Sequence, residues 1–405
     1  MCECLVCKSK VEEFMDFGKM PIANGFLEEK NYAKEEFFDL KVGYCPKCHM
    51  VQLTTFVEKE KMFNENYAFF SSTSKRMEAH FKEMAYWMMD NYLGENPLVV
   101  EIGSNDGIML QNFAREKVNH VGVEPSANVA EVARSKGLNT ISCFFDKETA
   151  EKIKDEYGKA DIITGTNVMC HIPYIHSVFE GVEELLKPSG VLVFEDPYIG
   201  DIVNRVSYDQ IYDEHAFYFS AYSVSYLAKM HGLELVDVYH QDVHGGSMRY
   251  VIAPINQREV TERTKELIRK EEEMGLHMLS TYIRLAERID ENRKDLVNLL
   301  KRLKEEGKRV VGYGATSKST TVTNYCQITP DLVEFISDTT PIKQNKMSPG
   351  MHIPVRSYEE YKKNYPDYAL LFAWNHGKEI IEKEEDFRAH GGKFIQYVDG
   401  VRIDD

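Results

Sequence analysis

The chain has 405 residues, enough for two to four domains around a large buried core. With 43% hydrophobic and 28% charged residues, its composition is globular, neither disordered nor fibrous. Its 49 Lys+Arg against 65 Asp+Glu give a formal net charge of -16, a field that repels phosphate backbones and argues against nucleic-acid or anionic-membrane binding but leaves room for one local basic pocket.

The chain opens on Met1-Cys-Glu-Cys-Leu-Val-Cys7, without the basic-then-apolar layout of a signal peptide. No later stretch approaches the roughly 20 apolar residues of a membrane helix, so a cytoplasmic location is expected. Five of the eight cysteines fall in the first 48 residues. Cys4-Leu-Val-Cys7 and Cys45-Pro-Lys-Cys48 form two CxxC knuckles around short β-like runs such as Phe37–Tyr44 and Met50–Thr54. A two-residue gap lets both thiolates of a knuckle face one point, and two knuckles make a tetrahedral sulfur site for zinc. Four thiolates leave no open position, so the zinc (Cys4, Cys7, Cys45, Cys48) is expected to be structural. Its binding energy, roughly 10–16 kcal/mol in small zinc modules, would hold a segment poor in apolar residues. Cys2 competes as a ligand, but its spacing to Cys4 is tighter than a knuckle needs.

Residues 75–93 carry Met77, Phe81, Met84, Trp87 and Met88 at helical spacing. From Leu98 onward, short apolar runs alternate with amphipathic segments. The runs are Leu98–Ile102, His120–Glu124, Thr140–Cys143, Ala160–Thr164, Gly190–Glu195, Glu234–Tyr239 and Met248–Ile252. That rhythm predicts a doubly wound α/β sheet ending in strands that can run antiparallel. Residues 257–305 predict a helical connector with one stripe of Leu279, Tyr282, Ile283, Ala286, Ile289, Leu296, Leu299 and Leu303. At Gly307 the α/β rhythm restarts, with strands expected at Arg309–Gly314, Val333–Ser337, Tyr368–Trp374 and Lys393–Tyr397 forming a smaller parallel sheet. The expected organisation is a zinc-binding module over 1–75 and a Rossmann-like α/β domain with helical lead-in over 76–256. The connector (257–305) and a smaller Rossmann-like α/β domain (306–405) follow.

The first strand runs into Glu101-Ile-Gly-Ser-Asn-Asp-Gly107. Gly103 and Gly107 let a ligand lie against the backbone at the strand's carboxyl end. Asn105 stands where a dinucleotide fingerprint has its second glycine, and Glu101 and Asp106 would repel a pyrophosphate. The same acids suit the cationic sulfonium and aminoacyl group of S-adenosylmethionine. Ser104 shares this turn, Glu124 ends the second strand where a carboxylate can take ribose hydroxyls, and Phe144 and Phe145 can flank an adenine. Asn167 and His171 end the fourth strand, facing the reactive end of the cofactor. Tyr212, Glu214 and His215 then place a phenol, a carboxylate and an imidazole within four residues. A carbon nucleophile needs a base to remove its proton and a donor to hold the enolate oxygen, roles that fit His215 and Tyr212. His244 and Arg249 are candidates for a diphosphate. Gly314, Thr316, Ser317 and Lys318 offer anion-binding groups at a helix start. Asp338, Lys343, Trp374, Asn375 and His376, at later strand ends, can line the same crevice.

These pieces in this order resemble a family, the bacterial S-adenosylmethionine-dependent C-methyltransferases that act on nucleotide-linked ketosugars in deoxysugar biosynthesis. The resemblance spans essentially the whole chain. It rests on the knuckles with Phe17-Gly-Lys-Met-Pro-Ile-Ala-Asn24, on Glu101–Gly107, and on Tyr212-Asp-Glu-His215, His244-Gly-Gly-Ser247 and Gly312-Tyr-Gly-Ala315. It implies a dTDP-4-keto-6-deoxysugar-like substrate methylated at carbon-3, with Tyr67, His171, Tyr212, Glu214 and His215 as the active-site set. Phe69 departs from it, since relatives often carry a second Tyr there. The implied chemistry is deprotonation by His215, oriented by Glu214, with Tyr212 or Tyr67 stabilising the enolate, no covalent intermediate and no catalytic metal. O- or N-methyl transfer on a sugar or small metabolite, an NAD-dependent nucleotide-sugar oxidoreductase and a non-catalytic zinc module are the competing readings. The nucleotide, the sugar and the oligomeric state, a monomer included, stay open.

Overall fold

In a computed structural model, the described residues, 2–58 and 75–404, gather their strands into three sheets. Tyr67 and Phe69 lie outside the described residues. The first sheet is antiparallel, in the order β1 (Glu12–Pro21), β2 (Phe37–Tyr44), β3 (Val51–Leu53) and β9 (Phe217–Tyr218). Its last strand arrives from far along the chain.

Both knuckles fold into the same reversal. Lys8 N donates to the Cys4 carbonyl at 3.0 Å and His49 N to the Cys45 carbonyl at 2.9 Å. Lys8 and His49 take φ of 57° and 59°, which turns both thiols of each knuckle to one side. Cys4 Sγ lies 3.4 Å from Cys48 Sγ, Cys7 Sγ lies 3.3 Å from Cys45 Sγ, and all four sulfurs fall within 4.8 Å of one another. Zinc–sulfur bonds of about 2.3 Å place tetrahedral sulfurs roughly 3.8 Å apart, so the four thiols fit a closed zinc site. Cys2 is outside this set.

The second sheet has seven strands in the order β10 (Leu233–Gln241), β11 (Ser247–Pro254), β8 (Leu186–Pro197), β7 (Ala160–Thr166), β4 (Leu98–Ile102), β5 (Asn119–Val123) and β6 (Thr140–Ile141). All are parallel except β11, which inserts antiparallel between β8 and β10. β4 is buried along its whole length, as its continuous apolar run requires. Strand order reverses between β4 and β7, opening a crevice at their carboxyl ends. The helix Lys75–Tyr92 buries Met77, Phe81, Met84 and Met88 against Val99, Ile162, Val193 and Val251.

The third sheet runs β14 (Val355–Ser357), β13 (Ile336–Asp338), β12 (Val310–Tyr313), β15 (Tyr368–Leu371), β16 (Lys393–Gln396) and β17 (Arg402–Asp404). It is parallel apart from the antiparallel edge β17. The expected strand Tyr368–Trp374 stops at Leu371, and Trp374 belongs to a 3-10 turn that redirects its side chain.

The connector is two helices, Glu262–Met274 and Leu279–Glu305, broken at Gly275, whose φ of 71° ends the first. The buried face of the long helix is Thr281, Tyr282, Leu285, Ile289, Asn292, Leu296, Leu300 and Leu303. This corrects the expected stripe: Ile283 points outward, 46% exposed, while Leu285 and Leu300 turn in. Two apolar rows a residue or two apart both satisfy the helical period, and only the partners decide between them. Here the partners are Phe14 and Tyr44, 5.2 and 4.9 Å from the Tyr282 ring, and the Tyr397 carbonyl, which accepts from Asn292 Nδ2 at 2.7 Å. The helix is a strut between the first and third sheets.

Two predictions follow from this packing. Leu296→Ala should cost about 2–5 kcal/mol, and Ile283→Ala should stay within about 0.5 kcal/mol, read from urea unfolding midpoints. Equal costs would mean the strut presents another face. Cys45→Ser should drop zinc, measured by atomic emission, below one ion per chain and expose the N-terminal sheet to limited proteolysis.

Candidate active site

The crevice above β4 and β7 continues into a cavity of about 380 Å³, walled by all three parts of the chain. Asn24 comes from the N-terminal module. The central sheet contributes Glu101, Gly103, Ser104, Asn105, Glu124, Phe144, Phe145, Asn167, His171, Tyr212, Glu214, His215 and His244, and the C-terminal part supplies Thr316, Ser317, Lys318 and Asn375. Sequence reasoning had singled out all of these except Asn24.

At one end the turn after β4 is shaped by glycine. Gly103 sits at φ +64°, and a Cβ there would meet Val168 at 2.3 Å. Glu124 binds the turn through two amides: Asn105 N donates to Oε2 at 3.0 Å and Ser126 N to Oε1 at 2.8 Å. Its carboxylate is thus aimed by the loop it closes, and burial pushes its pKa up. Glu101 Oε2 and Ser104 Oγ are buried with no hydrogen-bond partner among the described residues. Burial, then Glu124 and Asp106, holds the Glu101 carboxyl well above the usual range. A buried acid with an unused oxygen, beside a glycine cradle, suits a ligand carrying cationic and hydroxyl groups, as S-adenosylmethionine does.

Two expected cofactor contacts are corrected. Asp106 and Gly107 do not line the cavity. The Asp106 carboxylate lies 3.5 Å from Lys136 Nζ, which also donates to the Asp106 carbonyl at 2.7 Å. Gly107, at φ +80°, packs against Leu138. Both shape the turn from behind.

The His171 and His215 rings lie 5.0 Å apart, and the Tyr212 ring sits 4.1 Å from His215, tilted by 39°. His215 Nδ1 is 2.8 Å from the Gln210 carbonyl. A carbonyl can only accept, so Nδ1 carries the proton and Nε2 keeps its lone pair. Burial first, then His171, keeps the His215 pKa well below the ordinary value, and burial lowers His171 to about 4. Both rings are neutral at pH 7. Gln210 therefore orients His215, not Glu214 as expected. Glu214 instead accepts from Asn24 Nδ2 at 2.7 Å.

The far end is basic. Lys318 Nζ donates to the His244 carbonyl at 2.9 Å, and Lys343 Nζ to the Ala315 carbonyl at 2.8 Å. Thr316 caps the helix Ser317–Tyr325 by accepting from Ser319 N at 3.1 Å. Burial lowers the Lys318 pKa to about 8 and pulls Lys343 down against Asp338 and Glu214.

Three expected substrate contacts do not reach the cavity. Arg249 pairs with Glu195 at 3.0 Å and stacks on Trp87, because its place on β11 turns it toward the lead-in helix. Trp374 Nε1 donates to Asp209 at 2.5 Å, while its ring covers Gly245. Gly314, at φ +91°, packs on Ala373. Asp338 likewise serves the fold, accepting from Ala315 N and Thr340 N, each at 2.7 Å. Lys343 and His376 do line the wall. Asn24 ends the motif Phe17–Asn24 that carries the resemblance, but its role at the site depends on Glu214, 190 residues away.

Comparisons with known proteins agree with this division of labour. Residues 4–63 match a zinc binding domain, 74–238 a methyltransferase domain and 242–399 a C-methyltransferase C-terminal domain. The C-methyltransferase NovU of Streptomyces niveus is 35% identical over 407 residues, covering 99% of this chain and 96% of that protein. The ubiquinone biosynthesis O-methyltransferase of Chelativorans sp. is 35% identical over 95 residues, 23% of this chain and 38% of that protein. A solved SAM-dependent methyltransferase from Anabaena variabilis aligns with 43% of this chain and 84% of its own, at 15% identity and a TM-score of 0.35. With its whole length accounted for, the chain belongs to the bacterial S-adenosylmethionine-dependent C-methyltransferase family, a zinc-containing enzyme that methylates carbon.

Proposed function

We propose that the methyl acceptor is carbon-3 of a nucleotide-linked 4-keto-deoxysugar, made nucleophilic as an enolate. The observation that carries this reading is the set of groups one cavity gathers: Glu101 and Glu124 from the central sheet, Lys318 and Lys343 from the C-terminal part, and an imidazole with a fixed lone pair. Two half-buried cations in a chain of net charge -16 suit an anion such as a diphosphate. Oxygen and nitrogen nucleophiles need little activation, whereas a carbon acid needs both a base and a stabilised enolate oxygen.

Glu101, Ser104, Asn105, Glu124, Phe144, Phe145 and Asn167 would hold S-adenosylmethionine, which supplies an electrophilic methyl group when bound. His215 takes the proton from the carbon beside the ketone on Nε2, its ring held by the Gln210 carbonyl. The Tyr212 hydroxyl and the nearby lysines stabilise the oxygen that gains charge, a contribution of several kcal/mol in a desolvated site. Glu214, held by Asn24, sets the charge around Lys343. His244 and Lys318, with Thr316 and Ser317, receive the diphosphate.

The test is carbon-bound hydrogen exchange. With a nucleotide 4-ketosugar in deuterated water and no S-adenosylmethionine, the enzyme should exchange the proton at carbon-3, followed by NMR. O- or N-methylation of the same sugar without exchange would sink the enolate. His215→Asn should abolish exchange and slow methyl transfer at least about 10²-fold, with S-adenosylmethionine affinity unchanged by calorimetry. The Lys318 ammonium, with its pKa near 8, loses its charge as pH rises. The KM for the nucleotide sugar should therefore climb above about pH 8 while the KM for S-adenosylmethionine stays level.

A further inference from the structure

We propose that Cys170, His171 and His215 form a second metal site, distinct from the zinc knuckles, where a thiophilic divalent cation such as zinc binds and stops the reaction. One sulfur and two imidazole nitrogens from these residues lie within 4.8 Å of one another. A thiolate with two imidazoles is a donor set that selects zinc-like ions over magnesium or calcium. Three protein ligands leave a fourth position open, and two of the three, His171 and His215, line the cavity. That contrasts with the knuckles, where four sulfurs close the sphere.

The site is built from two rigid segments. Cys170 and His171 belong to the 3-10 turn Met169–His171 after β7, pinned by Asp196, which accepts from Val168 N at 3.0 Å and Cys170 N at 3.1 Å. His215 approaches from the loop before β9, its backbone N donating to the Tyr212 carbonyl at 3.1 Å. The bond from His215 Nδ1 to the Gln210 carbonyl, at 2.8 Å, is the outer contact that metal-binding histidines usually make, and it aims Nε2 at the ion. Cys170 is fully buried and does not line the cavity, whereas His171 and His215 do, so the ion enters from the cavity side. Coordination replaces the thiol proton, and one proton leaves to solvent per ion. The inhibition, though not the binding, rests on the reading of His215 as the base, because the ion takes the lone pair that would accept the substrate proton.

Cobalt(II) is the probe, added to holoenzyme whose knuckle zinc is verified at one per chain before and after. One added cobalt per chain is expected, with the near-ultraviolet charge-transfer band of a single cobalt–thiolate bond. Zinc should displace it, and Cys170→Ala should lose the band. In parallel, buffered zinc should inhibit methyl transfer reversibly, and the inhibition constant should rise at least tenfold in Cys170→Ala relative to that variant's own uninhibited rate. Cys170→Ser, which keeps a small polar group at the buried position, gives a second variant if the alanine form loses its knuckle zinc. Absence of the thiolate band, or a band unchanged in both variants, overturns the proposal whatever the role of His215. A cobalt-loaded enzyme with the band and full methyl transfer would instead overturn the inhibition and the assignment of His215 as base together.

Discussion

The segment from Tyr208 to Tyr218 ties every part of the molecule to every other. Asp209 Oδ2 accepts from Trp374 Nε1 and from the Tyr397 hydroxyl at 2.7 Å, which fastens the third sheet to the central one. The Ile211 carbonyl accepts from Thr321 Oγ1 at 2.8 Å. Asp213 accepts from Ala23 N at 3.0 Å, while Thr320 Oγ1 donates to the Ala23 carbonyl at 2.8 Å, so one residue of the N-terminal module is gripped from both sides. Phe217 and Tyr218 then complete the first sheet. These groups are buried, and leaving any one of them unpaired costs roughly 1–3 kcal/mol. The bonds from Asp209, Ile211 and Asp213 each join two units of the chain.

That constraint explains why the catalytic candidates sit where they do. Tyr212, Glu214 and His215 lie inside the clasp, and the same backbone that holds the three parts together aims the side chains. The Gln210 carbonyl fixes the His215 tautomer, and the Asn24 amide fixes Glu214. The zinc knuckles are remote from the chemistry, yet they hold the sheet whose β1 strand ends just before Ala23 and Asn24. The His176 Nε2 contact to the Val6 carbonyl, at 2.7 Å, braces the first knuckle against the central domain. The module that the knuckles fold thus reaches the cavity through Asn24.

What could be read from the sequence follows the range of the interaction. The knuckles were legible because two-residue spacing sets their geometry, and the strands were legible because burial on both faces demands continuous apolar runs. The α/β rhythm and the glycine turn at Gly103 were visible for the same reason. Errors arose where a distant partner decides. Arg249 looked available for a diphosphate, but Glu195 on the neighbouring strand claims it. Trp374 looked like a crevice residue until Asp209 captured its ring nitrogen. Asp106 stands in the cofactor turn yet faces Lys136, and Ile283 shares a helical period with residues that face the core. Asn24 was invisible as a site residue because its role exists only once Glu214 is beside it.

The cavity combines groups that burial makes uncomfortable. Desolvation drives Glu101 toward its neutral form at one end and Lys318 and Lys343 toward theirs at the other. Each would regain its charge beside a ligand of opposite sign, so the apoenzyme stores at both ends a cost that ligands relieve. An acidic wall with a glycine cradle favours a cationic group over an anionic one, and the lysines favour the reverse. Neutral His171 and His215 line the same cavity, where an imidazolium would repel a cationic ligand. Two uncharged rings leave a charge that develops beside them to be met by fixed dipoles without an opposing ion in the way.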